Sequence, residues 1–349
     1  MRKVVVVALL ATVIAGGYTL GEAHRLRAIG PGAPYVRLYR GATRGLEASM
    51  ATGDGQAYGA LAQDPTLARP EVFAGGSRAA AYRYQRPMLG YLAWMASLGR
   101  PGWEPNAQAL LVVLGAAIAA AACAELLRRR GRNPLLALFV LFTPGMLSSL
   151  STLTAEPIAL AFLTIGLLLW WDDPRRVTLA AICFSLAALS RETSLVAVVA
   201  LGVGEAFRRA GRERWSWLRR VAPLAAPFAV YAGWLTVVRV RLGAWPFAAR
   251  EGRLSRIPFG GLVHDMSSFA DPRSTWFWLA AALVLVVFAV VKHADPLSCL
   301  VLGYGIFSAA LGMLVWNRWQ DFGRPLLPLY AYGLLIVMTR ITRPEPVPA

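Results

Sequence analysis

The chain has 349 residues, of which 57% are hydrophobic and 16% charged, and its formal net charge is +17. Its mean hydropathy of +0.50 leaves too little polar surface to cover a water-soluble particle. The charge comes almost entirely from arginine, since Lys3 and Lys292 are the two lysines. These arginines stand between apolar runs instead of gathering on one face, which argues against nucleic-acid binding and favours a polytopic membrane protein.

Apolar runs near membrane-spanning length recur along the chain. A hydrocarbon core needs roughly 20 mainly apolar residues per helix, and on that basis we expect an all-α bundle of about ten transmembrane helices in a single membrane domain, 1–349. The first run is either a cleaved signal peptide or, as we favour, a retained span. The predicted spans cover about 4–20, 107–127, 134–147, 153–171, 177–190, 194–207, 221–240, 275–291, 297–315 and 325–339.

One long polar connection, residues 21–104, interrupts this pattern. It contains GDGQAYGALAQDP from position 53 and AYRYQRPMLGYLAW from position 81. The apolar run 88–98 is too short to cross a membrane, so we expect a short interfacial or re-entrant helix there. A simple membrane anchor has no use for such a stretch.

The distribution of arginine predicts an orientation. With a cytoplasmic N-terminus, the short connections that would be cytoplasmic carry most of the positive charge, as the positive-inside rule requires. The charge lies in 128–132, at Arg175 and Arg176, in the basic segment 208–220, at Lys292, and at Arg340 and Arg343 of a short Pro-rich cytoplasmic tail, 340–349. The loop 21–104 would then be extracytoplasmic.

In that orientation the unusual polar residues collect on the extracytoplasmic side. A charge within a span costs several kcal/mol unless it faces a cavity or a partner, so Glu156 and the adjacent Arg191 and Glu192 are informative. We therefore expect a membrane-level polar pocket. Its candidate residues are Asp54, Tyr58, Asp64, Arg83, Arg86, Glu156, Arg191, Glu192, His264, Asp265, Asp321 and Arg324.

Five patches together resemble a known family. They are the loop DGQAYGALAQDP, then YRYQRPMLGYLAW, LTAEPIALAF, LAALSRETSL and FGRPLLPLYAYGLL. In this order they are similar to the GT-C superfamily of polytopic glycosyltransferases, which includes bacterial mannosyl- and arabinosyltransferases. The resemblance implies an enzyme of the bacterial cell membrane that takes a sugar from a polyprenyl-phosphate donor on the outer face. It also implies that an acid in the first external loop is central to activity, and Asp54 holds that position.

The chemistry of such a transfer suggests a role for each residue type. A carboxylate above the membrane can act as general base for an acceptor hydroxyl, so Asp54 is the expected base or metal ligand. Arginine suits a leaving phosphate through its fork of donors, which selects Arg191, Arg324, and Arg83 or Arg86. Tyr58, Glu156 and Glu192 complete the expected substrate-binding set.

The loop departs from the family in carrying one acid between two glycines where many members carry two adjacent acids. Asp64, Glu71 or Glu156 would have to supply the second carboxylate. A divalent cation, Mg or Mn, held by Asp54 and Asp64 therefore stays an open alternative, and the cofactor is unknown. The expected partners are the lipid-linked sugar donor and membrane lipids; the oligomeric state is unknown.

Other interpretations of the same residues stay open. Asp-Gly is an ordinary turn signal, and Arg191 with Glu192 could simply seal a helix end as an ion pair. Glu156 could be satisfied by neighbouring Ser and Thr hydroxyls. At the level of the whole chain, the alternatives are a multi-span transporter or lipid flippase, or a catalytically silent relative that acts in assembly.

Overall fold

A computed structural model describes residues 1–29, 34–42, 45–172, 176–208, 218, 220–248, 254–291 and 295–341. Within those residues the regular structure is helical, with two isolated antiparallel bridges. The α-helices in chain order are α1 (Arg2–Ile29), α2 (Gly45–Thr52), α3 (Gly55–Gln63), α4 (Gly76–Arg83), α5 (Met88–Ala96), α6 (Glu104–Arg129), α7 (Pro144–Thr152), α8 (Glu156–Asp172), α9 (Val177–Ser190), α10 (Ser194–Arg208), α11 (Ala226–Leu242), α12 (Gly260–Asp265), α13 (Pro272–Val290), α14 (Pro296–Ala309), α15 (Met313–Trp316), α16 (Trp319–Gly323) and α17 (Leu327–Ile341).

The expected count of about ten spans is not confirmed. Among the described residues, four helices are long and apolar enough to cross a membrane, namely α1, α6, α11 with the turn before it, and α13. The apolar helices α8, α9, α14 and α17 have 14 to 17 residues. At 1.5 Å per residue they reach at most about 26 Å, which is short of a hydrocarbon core about 30 Å thick.

A bent pair of helices replaces the predicted third span and the loop after it. The 3₁₀ helix Pro134–Phe142 and α7 meet at 63°, and together they would make a fifth, broken span or a re-entrant loop. Thr143 separates them in an extended conformation, and Pro144 then opens α7. Because proline favours the first turn of a new helix, helix continues through residues 148–152, where the sequence predicted a connection.

The long helix α6 lies at the centre of the bundle. It packs against α1, α5 and α8, and α8 packs in turn against α9. Alanines and Gly115 make up much of its contact surface, so neighbouring backbones come close: a Cβ on Gly115 would lie 3.0 Å from the backbone nitrogen of Ile158. The outer faces of α1 and α13 expose large apolar side chains such as Leu9, Val13 and Phe277, as lipid-facing helices do.

A small apolar core covers one end of this bundle. It comes from α2 to α5 and includes Met50, Leu61, Phe73 and Tyr84. The short helix expected at 88–98 is observed as α5. Since α6 begins here and ends at Arg129, we call this end the polar end and the opposite one the arginine-rich end.

Some predicted features lie outside the described residues. These are the tail from position 342 onward, Lys292, Arg175, and positions 209–217 and 219 of the basic segment.

Candidate functional site

Asp54 lies at the polar end, in the turn between α2 and α3, and two arginines from distant parts of the chain hold it. Arg83, the last residue of α4, donates to Oδ1. Arg324, just after α16, donates from Nη1 to Oδ2 at 3.0 Å. Both carboxylate oxygens are therefore engaged by positive charge, and the Asp54 side chain is 13% exposed.

The glycines beside Asp54 are required by packing. A Cβ on Gly53 would lie 2.7 Å from Cβ of Thr152, and one on Gly55 would overlap the Thr152 carbonyl oxygen. The fully buried Gln108 of α6 donates to the carbonyl oxygens of Gly55 (3.0 Å) and Leu153 (2.7 Å). These contacts fix the Asp54 turn against the end of α7, so Gly-Asp-Gly here is more than a flexible turn.

Gln56 secures the same turn from its other side. Its amide nitrogen donates to the carbonyl oxygens of Ala51 and Gly53, each at 3.0 Å. Its amide oxygen accepts from the backbone nitrogen of Val36 at 2.8 Å. The side chain is 2% exposed, so it ties the start of α3 to the chain segment that precedes α2.

A close backbone contact positions Arg324. Gly145, at the start of α7, touches Gly323 so closely that a Cβ on either residue would overlap the other's backbone or its neighbours. Arg324 follows directly and also reaches Asp321 at 3.4 Å. Its Nε is buried and makes no hydrogen bond within the described part of the chain.

A second ion pair lies deeper in the same end. Arg191 Nη2 is 3.2 Å from Glu156 Oε1, and the two side chains are 8% and 2% exposed. Ser149 of α7 donates to the other Glu156 oxygen at 3.2 Å. Nε and Nη1 of Arg191 are buried and, among the described residues, have no hydrogen-bond partner. A buried guanidinium with two unused donors is costly unless something else completes its coordination.

Glu192 turns away from its neighbour and pairs with Arg86. The Arg86 guanidinium donates to both Glu192 oxygens through Nε and Nη2. The interpretation of Arg191 and Glu192 as a mutual helix-end pair is therefore wrong: each binds a residue from another segment. Such bidentate pairs fix orientation as well as distance.

Two tyrosine hydroxyls lie buried near these charges without a hydrogen-bond partner among the described residues, those of Tyr35 and Tyr58. The Arg83 guanidinium lies 4.2 Å from the centre of the Tyr35 ring. Tyr58 is 3% exposed. Burial raises the pKa of its hydroxyl to about 12, and the charges of Arg86 and Glu156 also act on it.

The ion pairs act on one another electrostatically, because the charges of one pair shift the pKa values of residues in another. Burial alone would raise the pKa of the Asp54 carboxyl, but Arg324 and Arg83, followed by Arg86 and Arg191, hold it well below its usual range. The pKa of Glu192 is lowered to about 2, because Arg86 and Arg191 outweigh the effect of burial. We call the eight residues Asp54, Tyr58, Arg83, Arg86, Glu156, Arg191, Glu192 and Arg324 the arginine cluster.

Asp64 does not join this cluster. It follows α3, whereas Asp54 precedes it, and the nine residues of α3 span about 14 Å. Its carboxylate accepts from the backbone nitrogens of Ala68 (3.1 Å) and Arg69 (2.7 Å), so it caps a local turn. No group of three His, Cys, Asp or Glu side chains in the described residues could hold a metal ion. With both Asp54 oxygens on arginines, these residues do not fit the divalent site that the sequence left open.

The sequence interpretation singled out every member of the arginine cluster but missed several uncharged residues around it. Tyr35, Gln56, Gln108 and Ser149 were not predicted. A lone glutamine in the apolar run of α6 was a usable signal, since an amide inside a span needs partners. Tyr35 carries no comparable signal in the sequence.

Two cavities, of about 320 and 140 Å³, lie elsewhere, and cluster residues do not line them. Direct ion pairs join Asp54 to Arg83 and Arg324, Glu156 to Arg191, and Glu192 to Arg86. No protein-family model matches the chain, and a search of curated proteins finds no match.

Proposed function

We propose that this chain is a membrane glycosyltransferase that moves a sugar from a polyprenyl-phosphate donor to an acceptor hydroxyl at the polar end. The observation that carries the proposal is the buried guanidinium of Arg191. Two of its nitrogens have no hydrogen-bond partner among the described residues, and its charge, like that of Arg324, acts on Asp54. A phosphate group is an acceptor that such donors fit. The resemblance of five sequence patches to the GT-C superfamily supports the same conclusion.

The reaction is a displacement at the anomeric carbon. The acceptor oxygen forms a bond to that carbon, the bond from the carbon to the phosphate oxygen breaks, and its electron pair leaves with the polyprenyl phosphate. The acceptor hydroxyl proton passes to a carboxylate and then to solvent. In this scheme Arg191 and Arg324 hold the charge that develops on the leaving phosphate, and Asp54 takes the proton.

Asp54 can act as a base only after its ion pairs with Arg83 and Arg324 are broken. A carboxylate with a strongly lowered pKa is a weak base, and two arginines hold Asp54 in that state. When Arg324 and Arg83 turn towards a bound phosphate, the Asp54 pKa rises and the carboxylate becomes free to accept a proton. Donor binding would thus activate the base.

The location proposed is a bacterial cell membrane, with the N-terminus cytoplasmic and the polar end outside. The support is charge: Arg128 and Arg129 lie at the opposite end of α6. The exposed position Thr52 tests this. After the three native cysteines are replaced, Thr52→Cys should react with an impermeant thiol reagent in intact cells. Labelling that occurs only after lysis would show that the protein has the opposite orientation.

The activity itself is tested with membranes that contain the protein. The measured quantity is the transfer of sugar from radiolabelled polyprenyl-phospho-sugars. Asp54→Asn should abolish transfer when activity is normalised to the amount of folded protein. Glu71→Gln also changes a carboxylate to an amide, but at an exposed residue of the short 3₁₀ helix Pro70–Val72, outside the cluster, and it should leave transfer intact. Normal transfer by Asp54→Asn would refute the role of Asp54.

A transporter or lipid flippase is the second candidate, and one observation favours it. Broken helices mark substrate paths in many transporters. The 63° bend before α7 is such a break, and the far end of α7 packs against the Asp54 turn. The same radiolabelled lipid separates the two functions: a flippase moves it across reconstituted vesicles without changing it chemically. The silent-relative alternative would be favoured if Asp54 lacked charged neighbours, whereas Arg83 and Arg324 contact it.

A further inference from the structure

The cavity of about 320 Å³ at the polar end is separate from the arginine cluster. It is formed where α2, α3 and the start of α6 meet. Polar lining comes from Tyr39, Glu47, Gln63, Glu104 and Asn106. Its volume is many times the ~30 Å³ share of one water molecule, so it can hold a small ligand.

Two carboxylates and no arginine, lysine or histidine line this cavity. Glu47 is exposed towards solvent, whereas Glu104 is 3% exposed. In the part of the chain that the structure describes, neither forms an ion pair. The lining is therefore negative in a chain whose net charge is +17.

Glu104 is incompletely satisfied. Its Oε1 accepts a hydrogen bond from the Gln63 side chain. Its Oε2 is buried and has no partner among the described residues. Glu104 also opens α6, where the helix dipole favours a carboxylate. The dipole explains why an acid is tolerated there, but it supplies no donor to Oε2 and does not account for Glu47 across the cavity.

We propose that this cavity binds a primary ammonium group. The positive charge of an ammonium would balance the two carboxylates. Its three N–H groups can donate to the carboxylates of Glu47 and Glu104 and to the hydroxyl oxygen of Tyr39. An anion would be repelled. A metal ion is disfavoured because the described residues offer no group of three ligating side chains.

The ammonium has two sources, the head group of an ethanolamine lipid or a soluble amine. The cavity adjoins a surface that suits a lipid interface. Trp103, between lining residues Gly102 and Glu104, is 53% exposed, and Leu98 nearby is 73% exposed. Exposed aromatic and apolar side chains of this kind lie at head-group depth.

Isothermal titration of the detergent-solubilised chain with ethanolamine and choline tests the chemistry. Both probes are cations, but the quaternary nitrogen of choline has no N–H to donate. Ethanolamine should bind at least about tenfold more tightly than choline, and Glu47→Gln or Glu104→Gln should each weaken it by about tenfold or more. The matched variant Glu71→Gln should bind like the wild type. Because Glu47 is exposed, its variant tests the idea even if Glu104→Gln fails to fold.

Nanodiscs of phosphatidylethanolamine and phosphatidylcholine distinguish the sources. A higher thermal unfolding midpoint in phosphatidylethanolamine, with loss of the ethanolamine titration, identifies the lipid head group. Equal midpoints with the titration retained identify a soluble amine. Equal affinity for ethanolamine and choline, no binding of ethanolamine, or unchanged binding in Glu47→Gln overturns the proposal.

Discussion

Arg324 and Asp54 are separated by 270 positions in the chain, yet Arg324 Nη1 lies 3.0 Å from Asp54 Oδ2. The two side chains are each 13% exposed, so most of the pair is shielded from solvent. Removing one partner from such a pair leaves a poorly solvated charge, which costs more than the pair contributes.

The first prediction concerns the stability of this pair. Asp54→Asn leaves Arg83 and Arg324 without their counter-charge, so we expect the free energy of unfolding to fall by about 3 kcal/mol. The measurement is thermal or denaturant unfolding in detergent.

The double variant Asp54→Asn/Arg324→Gln completes a double-mutant cycle with the two single variants. It should regain about 1–3 kcal/mol relative to the sum of the single variants, because residues in direct contact couple. Strictly additive losses would contradict a direct interaction.

The second prediction separates function from structure at Tyr58. Tyr58→Phe removes only a buried hydroxyl that makes no hydrogen bond among the described residues. Stability should be unchanged or slightly higher, since an unsatisfied polar group is lost. If the hydroxyl donates to substrate, sugar transfer should nevertheless fall by about tenfold.

Tyr84→Phe is the matched control for Tyr58→Phe. The Tyr84 hydroxyl is also buried without a hydrogen-bond partner in the described chain, but it lies in the apolar core of α2 to α5. Its loss should leave both stability and transfer unchanged. Equal activity of both variants would argue against substrate contact by Tyr58.

The third prediction concerns the packing of the Asp54 turn. Gly55→Ala places a Cβ against the Thr152 carbonyl oxygen, and backbone cannot give way as a flexible side chain can. We expect a loss of about 2 kcal/mol or more, together with lower transfer activity, because Asp54 must move. Gly233→Ala in α11 meets no atom within 4 Å and should change stability by no more than about 1 kcal/mol.

The fourth prediction is a loss of stability in acid. The pKa of Glu192 is about 2 in the folded chain against an ordinary value of 4.5, because Arg86 and Arg191 outweigh burial. A carboxyl group whose pKa is lower in the folded than in the unfolded chain stabilises the folded state at pH values above its unfolded pKa. That stabilisation is lost as the pH falls towards the folded-state pKa. The unfolding midpoint should therefore be flat above about pH 5 and decline between about pH 4.5 and 2.

Glu192→Gln provides the control for this pH dependence. It should be less stable at neutral pH, because Arg86 loses its partner, and its decline between pH 4.5 and 2 should be shallower. A decline as steep as that of the wild type would assign the effect to other carboxylates, of which Asp54 is the first to examine.

The sequence marked the charged residues of the cluster because charges between apolar runs are costly and therefore conspicuous. It could not predict their pairing. Arg191 forms its ion pair with Glu156, and its neighbour Glu192 forms one with Arg86, since partners depend on which helix ends meet in space. The number of spans is not confirmed for a related reason: hydropathy counts apolar residues, but it does not detect a sharp bend between Phe142 and Pro144 or helices too short to cross.

The contact between Gly145 and Gly323 also bears on the order in which the protein is assembled. Arg324 reaches Asp54 only once α16 has docked against the start of α7. During synthesis, the N-terminal half of the chain would therefore enter the membrane with Asp54 paired to Arg83 alone. A chain truncated before α16 should insert its early helices yet never complete the arginine cluster.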